Sequence, residues 1–308
     1  MSNLQELNDA LAGNYMLVSV SFRSWSGKRT DADATQEVIK AKSAVQKAGS
    51  FVTYLLAEAD EELKAVHAAA AMVRQFVYNN TLPWSLSQEG ARRGERLIPT
   101  AQSMTFLRDL NSLKKQHDDA VLVLEQVWPQ RVAQASSNLG GLAATAQYPD
   151  ASELRKLFGI TVELRPMPVV SDFSRLNVPA AMAEALGDRM AQQARVQVES
   201  AMEDLRERLT TELTRMYTQL NKAGNGEKTR LYETLITNTQ QLCTMARTMN
   251  LTNNQKLIDV ANKIESSLLK YPIETLREDK TRALEVAAAA AEVIGEIDGI
   301  EWFESSAD

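Results

Sequence analysis

The chain of 308 residues is long enough to bury a large core, either as one domain or as two modest ones. Hydrophobic residues make up 44% and charged residues 24%, an ordinary globular balance that argues against the disordered, collagenous and membrane classes. The formal net charge of −6 disfavours sequence-independent nucleic-acid binding, because such binding depends on lysine and arginine neutralising phosphates.

Cysteine content and the apolar windows bear on the cellular compartment. The single cysteine, Cys243, can form neither an intrachain disulfide nor a thiolate zinc site, which is typical of a reducing compartment. Residues 1–14 contain no basic residue and no apolar run, so we expect no signal peptide. The most apolar windows, 68–77 and 287–300, are too short to span a bilayer. These features predict a cytoplasmic protein.

Two short segments alternate apolar and polar residues, as half-buried strands do. The first covers residues 17–25 and the second directly follows Gly159. The apolar positions that share a face are Val18, Val20 and Phe22 in the first segment and Ile160, Val162 and Leu164 in the second. Because only these two segments alternate, we expect them to pair with each other as a minor two-stranded β element.

The first long helix is predicted over residues 49–79, where apolar residues recur about every 3.6 positions. Its apolar stripe is Val52, Leu55, Ala59, Leu63, Val66, Ala70, Val73 and Val77. Pro83 cannot continue a helix and favours an extended conformation at Leu82. A loop is therefore predicted from there to about Pro99.

A second helix is predicted from about Thr100, and the sequence leaves open whether it kinks or stops at Pro129. Its apolar positions are Met104, Leu107, Leu110, Val121, Leu124 and Trp128. Further along, Asp150 is followed three residues later by Glu153, the spacing of a capping box. These two residues predict a short helix that Gly159 closes.

The C-terminal part of the chain is predicted to be helical throughout. Between Pro179 and Pro272 there is no further proline, and the composition favours helices. One stripe there repeats about every 3.67 residues, the hendecad value, and requires a partner helix. Its members are Val198, Met202, Leu205, Leu209, Leu213, Met216 and Leu220. A turn is predicted at Asn225, followed by helices over 228–250, 253–269 and 272–297.

These elements predict a mainly α fold: a long-helix bundle with a minor two-stranded β element. Residues 1–177 form the predicted N-terminal helical region that contains both strands. Residues 178–297 form a C-terminal long-helix bundle, packed with the first region as one unit. Residues 298–308 form an acidic and aromatic tail.

The sequence offers little of the chemistry that catalysis requires. Its two histidines, His67 and His117, each lie on a predicted helix beside an apolar stripe, which favours packing over ligation or catalysis. In the run 117–119, neighbouring helical side chains point about 100° apart and cannot converge on one ion. Gly27 and Lys28 do not form a Walker A motif, because Phe22 stands where that motif needs glycine. We predict no catalytic residue, cofactor or metal ligand and no enzymatic activity, the alternative being an unrecognised carboxylate pocket.

The densest basic patch gives a candidate phosphate-binding site. It consists of Arg92, Arg93 and Arg96. Together with Lys114 and Lys115, this patch would make the chain a nucleic-acid-binding accessory protein, which is the alternative function. A solvated loop is the other interpretation of the same residues.

The C-terminal segment combines large apolar side chains with carboxylates and is a candidate partner-binding site. Its residues are Ile300, Glu301, Trp302, Phe303 and Glu304. Segments of this composition dock as short peptides into basic, apolar grooves. The alternatives are a last helical turn tucked onto the bundle and a frayed end.

Several short motifs follow one another in a fixed order. They are Trp25-Ser26-Gly27, Asn80-Thr81-Leu82-Pro83-Trp84, Gly94-Glu95-Arg96-Leu97-Ile98-Pro99, Tyr148-Pro149, Glu153-Leu154-Arg155-Lys156-Leu157-Phe158-Gly159, Arg165-Pro166-Met167-Pro168 and Asp172-Phe173. With these motifs, residues 17–220 resemble a bacterial and bacteriophage family known only as a domain of unknown function. The resemblance brings no catalytic residues with it.

Members of that family are often encoded beside a MoxR-type AAA+ ATPase and a protein with a von Willebrand factor A domain. The resemblance therefore implies a shared assembly with these two proteins. Together with the helical stripes, it leads us to expect a non-enzymatic scaffold or adaptor of phage or bacterial origin. Whether the chain forms a homo-oligomer is left open by the sequence.

Overall fold

The computed structural model describes residues 3–84, 94–169, 172 and 179–302. The fold is mainly α, as predicted, with 68% of residues in helices and a small antiparallel sheet. Every helix within the described ranges is too short or too polar to cross a lipid bilayer.

Ten helices occur in the described residues. They are α1 (Asn3–Asn14), α2 (Ala32–Ala41), α3 (Glu61–Asn80), α4 (Ser103–Leu139), α5 (Leu154–Leu157), α6 (Ala180–Gly224), α7 (Thr234–Thr248), α8 (Gln255–Ser267), α9 (Ile273–Glu278) and α10 (Lys280–Asp298). Helix α4 continues through Pro129, so this proline does not end it. Met104, predicted on the apolar stripe of α4, is exposed near the start of that helix.

Six strands form two sheets in the same residues. They are β1 (Tyr15–Arg23), β2 (Lys28–Asp31), β3 (Phe51–Tyr54), β4 (Leu82–Trp84), β5 (Glu95–Pro99) and β6 (Gly159–Pro166). One sheet has the order β4-β5-β1-β6, and β2 and β3 form the other. The two predicted strands, β1 and β6, are neighbours as expected.

The prediction of only two strands is wrong, because residues 82–99 contain strands where a loop was predicted. Strand β4 pairs with β5, with Pro83 opposite Arg96. Strand β4 lies at the edge of its sheet. An edge strand tolerates proline, since its missing N–H can face away from the neighbouring strand.

The predicted helix over 49–79 begins only at Glu61. Residues 51–54 form β3 instead, and this run of β-branched and aromatic residues favours a strand. Between the strand and the helix, Ala57 and Glu58 have φ angles of 41° and 73°. This left-handed backbone cannot belong to a right-handed helix, so the helical spacing of Val52 was misleading.

The chain divides into two compact units, and each is discontinuous in sequence. The first unit comprises the described residues within 1–19, 78–104 and 163–308, and the second comprises those within 20–77 and 105–162. This division differs from the predicted boundary after residue 177. The reason is that α1 and strands β4 and β5 pack with the C-terminal helices.

The core of the first unit forms around α6. All seven members of the predicted hendecad stripe are buried, and the partner that this stripe requires is chiefly α10. The two helices are close at Gly224, where an added Cβ atom would lie 2.4 Å from Cγ of Leu284. Burial of the stripe against apolar neighbours is the main stabilising contribution in this unit.

The core of the second unit contains an aromatic cluster. The rings of Trp25 and Trp128 meet edge to face at 5.5 Å, and those of Trp128 and Tyr148 do so at 6.4 Å. Trp128 Nε1 donates a hydrogen bond to the Pro149 carbonyl at 2.9 Å, and the Tyr148 hydroxyl donates to that of Leu55 at 2.7 Å. Buried aromatic residues with satisfied polar atoms stabilise a core, so these motif residues have a structural role.

The short helix α5 forms where it was predicted, but the capping box does not. The side chain of Asp150 makes no capping hydrogen bond, and a 3-10 turn over Ala151–Glu153 precedes the helix. Gly159 then begins β6. An added Cβ atom at Gly159 would lie 2.9 Å from the guanidinium of Arg23, so this flexible side chain would have to shift.

Within the second unit, a two-armed ion pair joins α3 to α4. Arg131 donates from Nε to Glu62 Oε2 at 2.7 Å and from Nη2 to Glu62 Oε1 at 2.6 Å. The hydrogen bonds from Arg131 hold the pKa of the Glu62 carboxyl below its ordinary value, against the opposing effect of desolvation. A depressed folded-state pKa stabilises the fold at neutral pH, and this contribution disappears as pH falls through that pKa.

Replacing Glu62 with glutamine should therefore lower the free energy of unfolding at pH 7 by about 1–2 kcal/mol. The loss should be smaller at about pH 3 than at pH 7, because the wild-type carboxyl begins to lose its charge as pH falls toward its lowered pKa. Urea unfolding of both proteins at the two pH values measures this change. A loss of equal size at both pH values would contradict the assigned role of the ion pair.

Candidate functional site

The two histidines have structural contacts inside the second unit. His67 Nε2 lies 3.0 Å from the carbonyl oxygen of Trp25, and its ring is 6.3 Å from that of Phe158. His117 is buried, and its Nδ1 lies 3.2 Å from Asp118 Oδ1. No three metal-ligating side chains come together within the described ranges.

The structure places one of the three arginines of the basic patch, since Arg92 and Arg93 lie outside the described residues. Arg96 belongs to β5 and donates from Nε to Thr81 Oγ1 at 2.5 Å and from Nη2 to the Thr81 carbonyl at 3.0 Å. Burial, reinforced by the nearby charge of Arg208, lowers the Arg96 pKa to about 10. The prediction of Arg96 as a loop residue open to phosphate is therefore wrong.

The two lysines of the same alternative form ion pairs along α4. Lys114 Nζ lies 2.7 Å from Asp118, and Lys115 Nζ lies 2.8 Å from Asp119. Pairs spaced by four residues on a helix are ordinary surface features worth a few tenths of a kcal/mol each. The described residues thus bring no cluster of free cations to the predicted phosphate site.

Arg208 is the most deeply buried arginine among the described residues of the first unit and has polar contacts on several sides. Its Nη1 donates to the carbonyl of Tyr78 at 2.6 Å and to that of Thr81 at 3.2 Å. Its Nη2 lies 2.6 Å from the carboxylate of Asp204, whose pKa is raised by burial. The guanidinium also stacks 3.6 Å from the centre of the Tyr78 ring. This arginine therefore satisfies buried carbonyl groups and has a structural role.

The C-terminal segment packs onto the first unit as far as the structure describes it. Ile300 is buried in the core, and Trp302 packs against that core while its Nε1 donates to the carbonyl of Ile297 at 3.3 Å. The expectation that Ile300 and Trp302 are free for docking is thus wrong. Their placement matches the alternative of a last turn tucked onto the bundle.

The remaining residues of the predicted docking segment are Glu301, Phe303 and Glu304. Glu301 is exposed, and its carbonyl accepts a hydrogen bond from Asn254 Nδ2 at 2.9 Å. Phe303 and Glu304 lie outside the described residues. A partner-binding role for these three residues stays a prediction.

The β2–β3 sheet of the second unit has one packed face and one exposed face. The strands are antiparallel, with Lys28 opposite Tyr54 and Thr30 opposite Val52. On the packed face, Asp31 and Thr53 are buried. Because side chains alternate along a strand, Arg29 and Phe51 share this face, and the remaining four residues of the register share the opposite face.

Asp31 connects the packed face to α2. Its carboxylate accepts hydrogen bonds from the backbone N–H of Ala34 and the hydroxyl of Thr145, both at 2.9 Å. These bonds, the one from Ala34 first, hold the pKa of Asp31 below its ordinary value. A residue that accepts from the first turn of a helix is an N-cap, so Asp31 begins α2 at the end of β2.

The opposite face, which we call the outward face, consists of Lys28, Thr30, Val52 and Tyr54, and all four residues are exposed. Val52 is 41% exposed and Tyr54 is 60% exposed. The Lys28 ammonium lies 4.8 Å from the centre of the Tyr54 ring. The solvated face of an antiparallel sheet ordinarily carries polar residues, so an aliphatic and an aromatic residue side by side make this face a candidate contact surface.

The outer edge of β3 also has backbone groups without a partner among the described residues. Leu55 N–H donates to the Gly27 carbonyl at 2.8 Å. The backbone groups of Leu55, and with them those of Thr53 and Phe51, therefore point toward β2. By the alternation of an antiparallel pair, the N–H and C=O groups of Val52 and Tyr54 point away from β2. The Tyr54 carbonyl accepts from Ala57, whereas the Val52 groups have no partner among the described residues.

Sequence reasoning missed this site for two identifiable reasons. Val52 fell on a helical stripe, and Lys28 was considered only as part of a phosphate loop. The signal that could have found it is the run Phe51-Val52-Thr53-Tyr54, four successive residues that favour strands.

Comparisons of the chain with protein-family models, with curated proteins and with solved structures give no match.

Proposed function

We propose that this chain is a helical scaffold or adaptor of bacterial or phage origin that binds a protein partner and performs no reaction itself. The observation that carries the proposal is the outward face of the β2–β3 sheet, where Val52 and Tyr54 are exposed beside a strand edge without a described neighbour. Exposed aromatic residues and open strand edges are the features by which folded domains bind peptide segments.

The residues with reactive side chains support a non-enzymatic role. His67 and His117 contact their own unit, as described above. Cys243 is buried in the first unit, and this burial raises the pKa of its thiol to about 12. A thiol with that pKa is almost entirely protonated at neutral pH and is a poor nucleophile.

The partner that we propose is a MoxR-type AAA+ ATPase or the von Willebrand factor A protein encoded with it, in the cytoplasm. The support for this choice is the family resemblance of residues 17–220. The apolar stripes of the long helices in the first unit are buried in their own core, so they are not available to a partner. The exposed residues Val52 and Tyr54 of the second unit are available.

The test is affinity capture of the tagged full-length chain from its native host. We expect it to recover the ATPase or the von Willebrand factor A protein, and Tyr54→Ser should reduce that recovery by about tenfold, because aromatic residues dominate protein contacts. The matched control is Tyr232→Ser in the first unit, where the tyrosine is 53% exposed.

Two outcomes would count against the proposal. If neither protein is recovered, the ATPase assembly is wrong. If Tyr54→Ser and Tyr232→Ser reduce recovery equally, the outward face is not the binding site. Removing residues 299–308 would not test partner binding by the C-terminal segment, because it also removes Ile300 and Trp302 from the core.

A further inference from the structure

We propose that the edge of β3 binds an extended acidic peptide of the partner as a third strand of the β2–β3 sheet. This inference rests on the proposed protein-binding function and names the mode and the chemistry of the contact. Strand addition of this kind takes its affinity from main-chain hydrogen bonds and its specificity from alternate side chains.

The first step is the geometry of the edge. Both backbone groups of Val52 point away from β2 without a partner among the described residues, and so does the N–H of Tyr54. These groups have the two-residue spacing with which a neighbouring strand pairs. A peptide in extended conformation can therefore continue the sheet without any rearrangement of the ladder between β2 and β3.

The second step is the choice between the two edges of the sheet. Strand β2 carries three charged side chains in four residues, and charges on edge strands oppose pairing with another chain. Strand β3 has the sequence Phe51-Val52-Thr53-Tyr54, with neither a charge nor a proline. Only the β3 edge lacks this protection, so the added strand belongs there.

The third step is the chemistry of the partner. Alternate side chains of an added strand would lie beside Val52 and Tyr54 on the outward face, where apolar residues fit. The Lys28 ammonium over the Tyr54 ring favours acidic neighbours. Residues 28–54 contain five basic and three acidic residues, and one of the three acids, Asp31, is turned toward the packed face.

Besides Lys28, three of these five basic residues are exposed lysines in this part of the second unit. They are Lys40, Lys42 and Lys47, in the last turn of α2 and the segment that leads to β3. The charge of the segment thus complements a peptide whose every second side chain, on the outward face, is acidic or apolar. The apolar edge of β3 favours a peptide over a nucleic acid, because a nucleic acid has no backbone amide groups that could pair with the strand.

The binding experiment uses the full chain and a fluorescein-labelled peptide of six residues in which threonine alternates with glutamate or valine, so that the glutamate and valine side chains all lie on the outward face. Fluorescence anisotropy should show saturable binding that weakens with added salt. The same peptide with methyl groups on its alternate backbone nitrogens should lose binding, because it cannot pair with β3. Replacing its glutamates by lysines should also abolish binding.

The variants separate the edge from the rest of the sheet. Val52→Pro removes an outward N–H but no ladder hydrogen bond, and it should weaken peptide binding by about tenfold. Thr30→Pro makes the same change on the β2 edge and is the matched control, with no expected effect. Lys28→Glu leaves the backbone intact and should weaken binding by about tenfold as well, so the test remains decisive even if Val52→Pro fails to fold.

Several results would overturn the inference. The methylated peptide could bind as tightly as the unmethylated one, or Lys28→Glu could leave peptide binding unchanged. A labelled single-stranded oligonucleotide could also bind more tightly than the peptide at the same residues. If partner capture depends on Tyr54 while no acidic peptide binds, strand addition fails and the adaptor function stands. If the peptide binds as expected while neither proposed partner is recovered, strand addition stands and the partner assignment fails.

Discussion

Replacing Arg208 with methionine should lower the free energy of unfolding of the first unit by roughly 3 kcal/mol. The substitution leaves the carboxylate of Asp204 without its counter-ion in a largely buried position. It also removes the donor to the carbonyl oxygens of Tyr78 and Thr81. Breaking a buried ion pair from one side is costly because the remaining charge and polar groups stay desolvated.

Denaturant unfolding of the Arg208→Met protein measures this loss. The matched control is Arg206→Met on the same helix, whose ion pair with Glu203 is partly exposed and should contribute less than about 1 kcal/mol. The double variant Arg208→Met with Asp204→Asn should recover part of the loss, since no unpaired charge remains. Equal losses for the two single arginine variants would contradict the structural role of Arg208.

Gly224→Ala should destabilise the first unit by about 1–3 kcal/mol, because α6 and α10 are in close contact there. The new Cβ atom would lie 2.4 Å from Cγ of Leu284 and 3.1 Å from the carbonyl oxygen of Lys280. The first distance is too short for any Cβ contact, and the second requires the backbone of Lys280 to shift by a few tenths of an ångström. The ends of the two helices would have to separate, which loses packing around the stripe of α6.

Thermal unfolding of this variant should be compared with that of Gly295→Ala. Gly295 lies inside α10, and an added Cβ atom there meets no other atom within 4 Å. That substitution should stabilise the protein by about 1 kcal/mol, because alanine favours helices more than glycine does. The two variants are thus expected to shift the melting temperature in opposite directions. A neutral effect of Gly224→Ala would show that the contact with Leu284 is looser than the structure indicates.

The helices of the C-terminal half were predictable to within a few residues, apart from the break that divides the last one into α9 and α10. Their apolar residues repeat with the helical period over many turns, and a repeat of that length has no other good explanation. The stripe from Val198 to Leu220 is buried as a whole. Its partner helix was not predictable, because the requirement for a partner does not say which distant segment supplies it.

The strands were only partly predictable. Alternation identified β1 and β6, whereas β3, β4 and β5 are three to five residues long and do not extend the pattern far enough to be distinctive. A short strand forms when a neighbouring strand satisfies its backbone groups. That neighbour is distant in sequence for β5, which pairs with β1.

The candidate site depended even more on tertiary structure. Arg96 and Trp302 are polar or aromatic residues in segments that resemble surface loops and tails, and the folded chain gives both of them contacts within the first unit. Conversely, Val52 has the character of a core residue and is exposed on the outward face. Burial of a single side chain is decided by which segment lies against it, and composition alone does not contain that information.

The amino-acid sequence by itself therefore determined the helical class, the long stripes and the shortage of catalytic groups, because these follow from local periodicity and residue content. Only the tertiary structure decided that the first and second units are interleaved along the chain, that Arg96 is held by Thr81, and that β3 has an open edge beside Lys28 and Tyr54. Each of these features depends on contacts between residues far apart in sequence, and the amino-acid sequence alone does not say which distant residues are in contact.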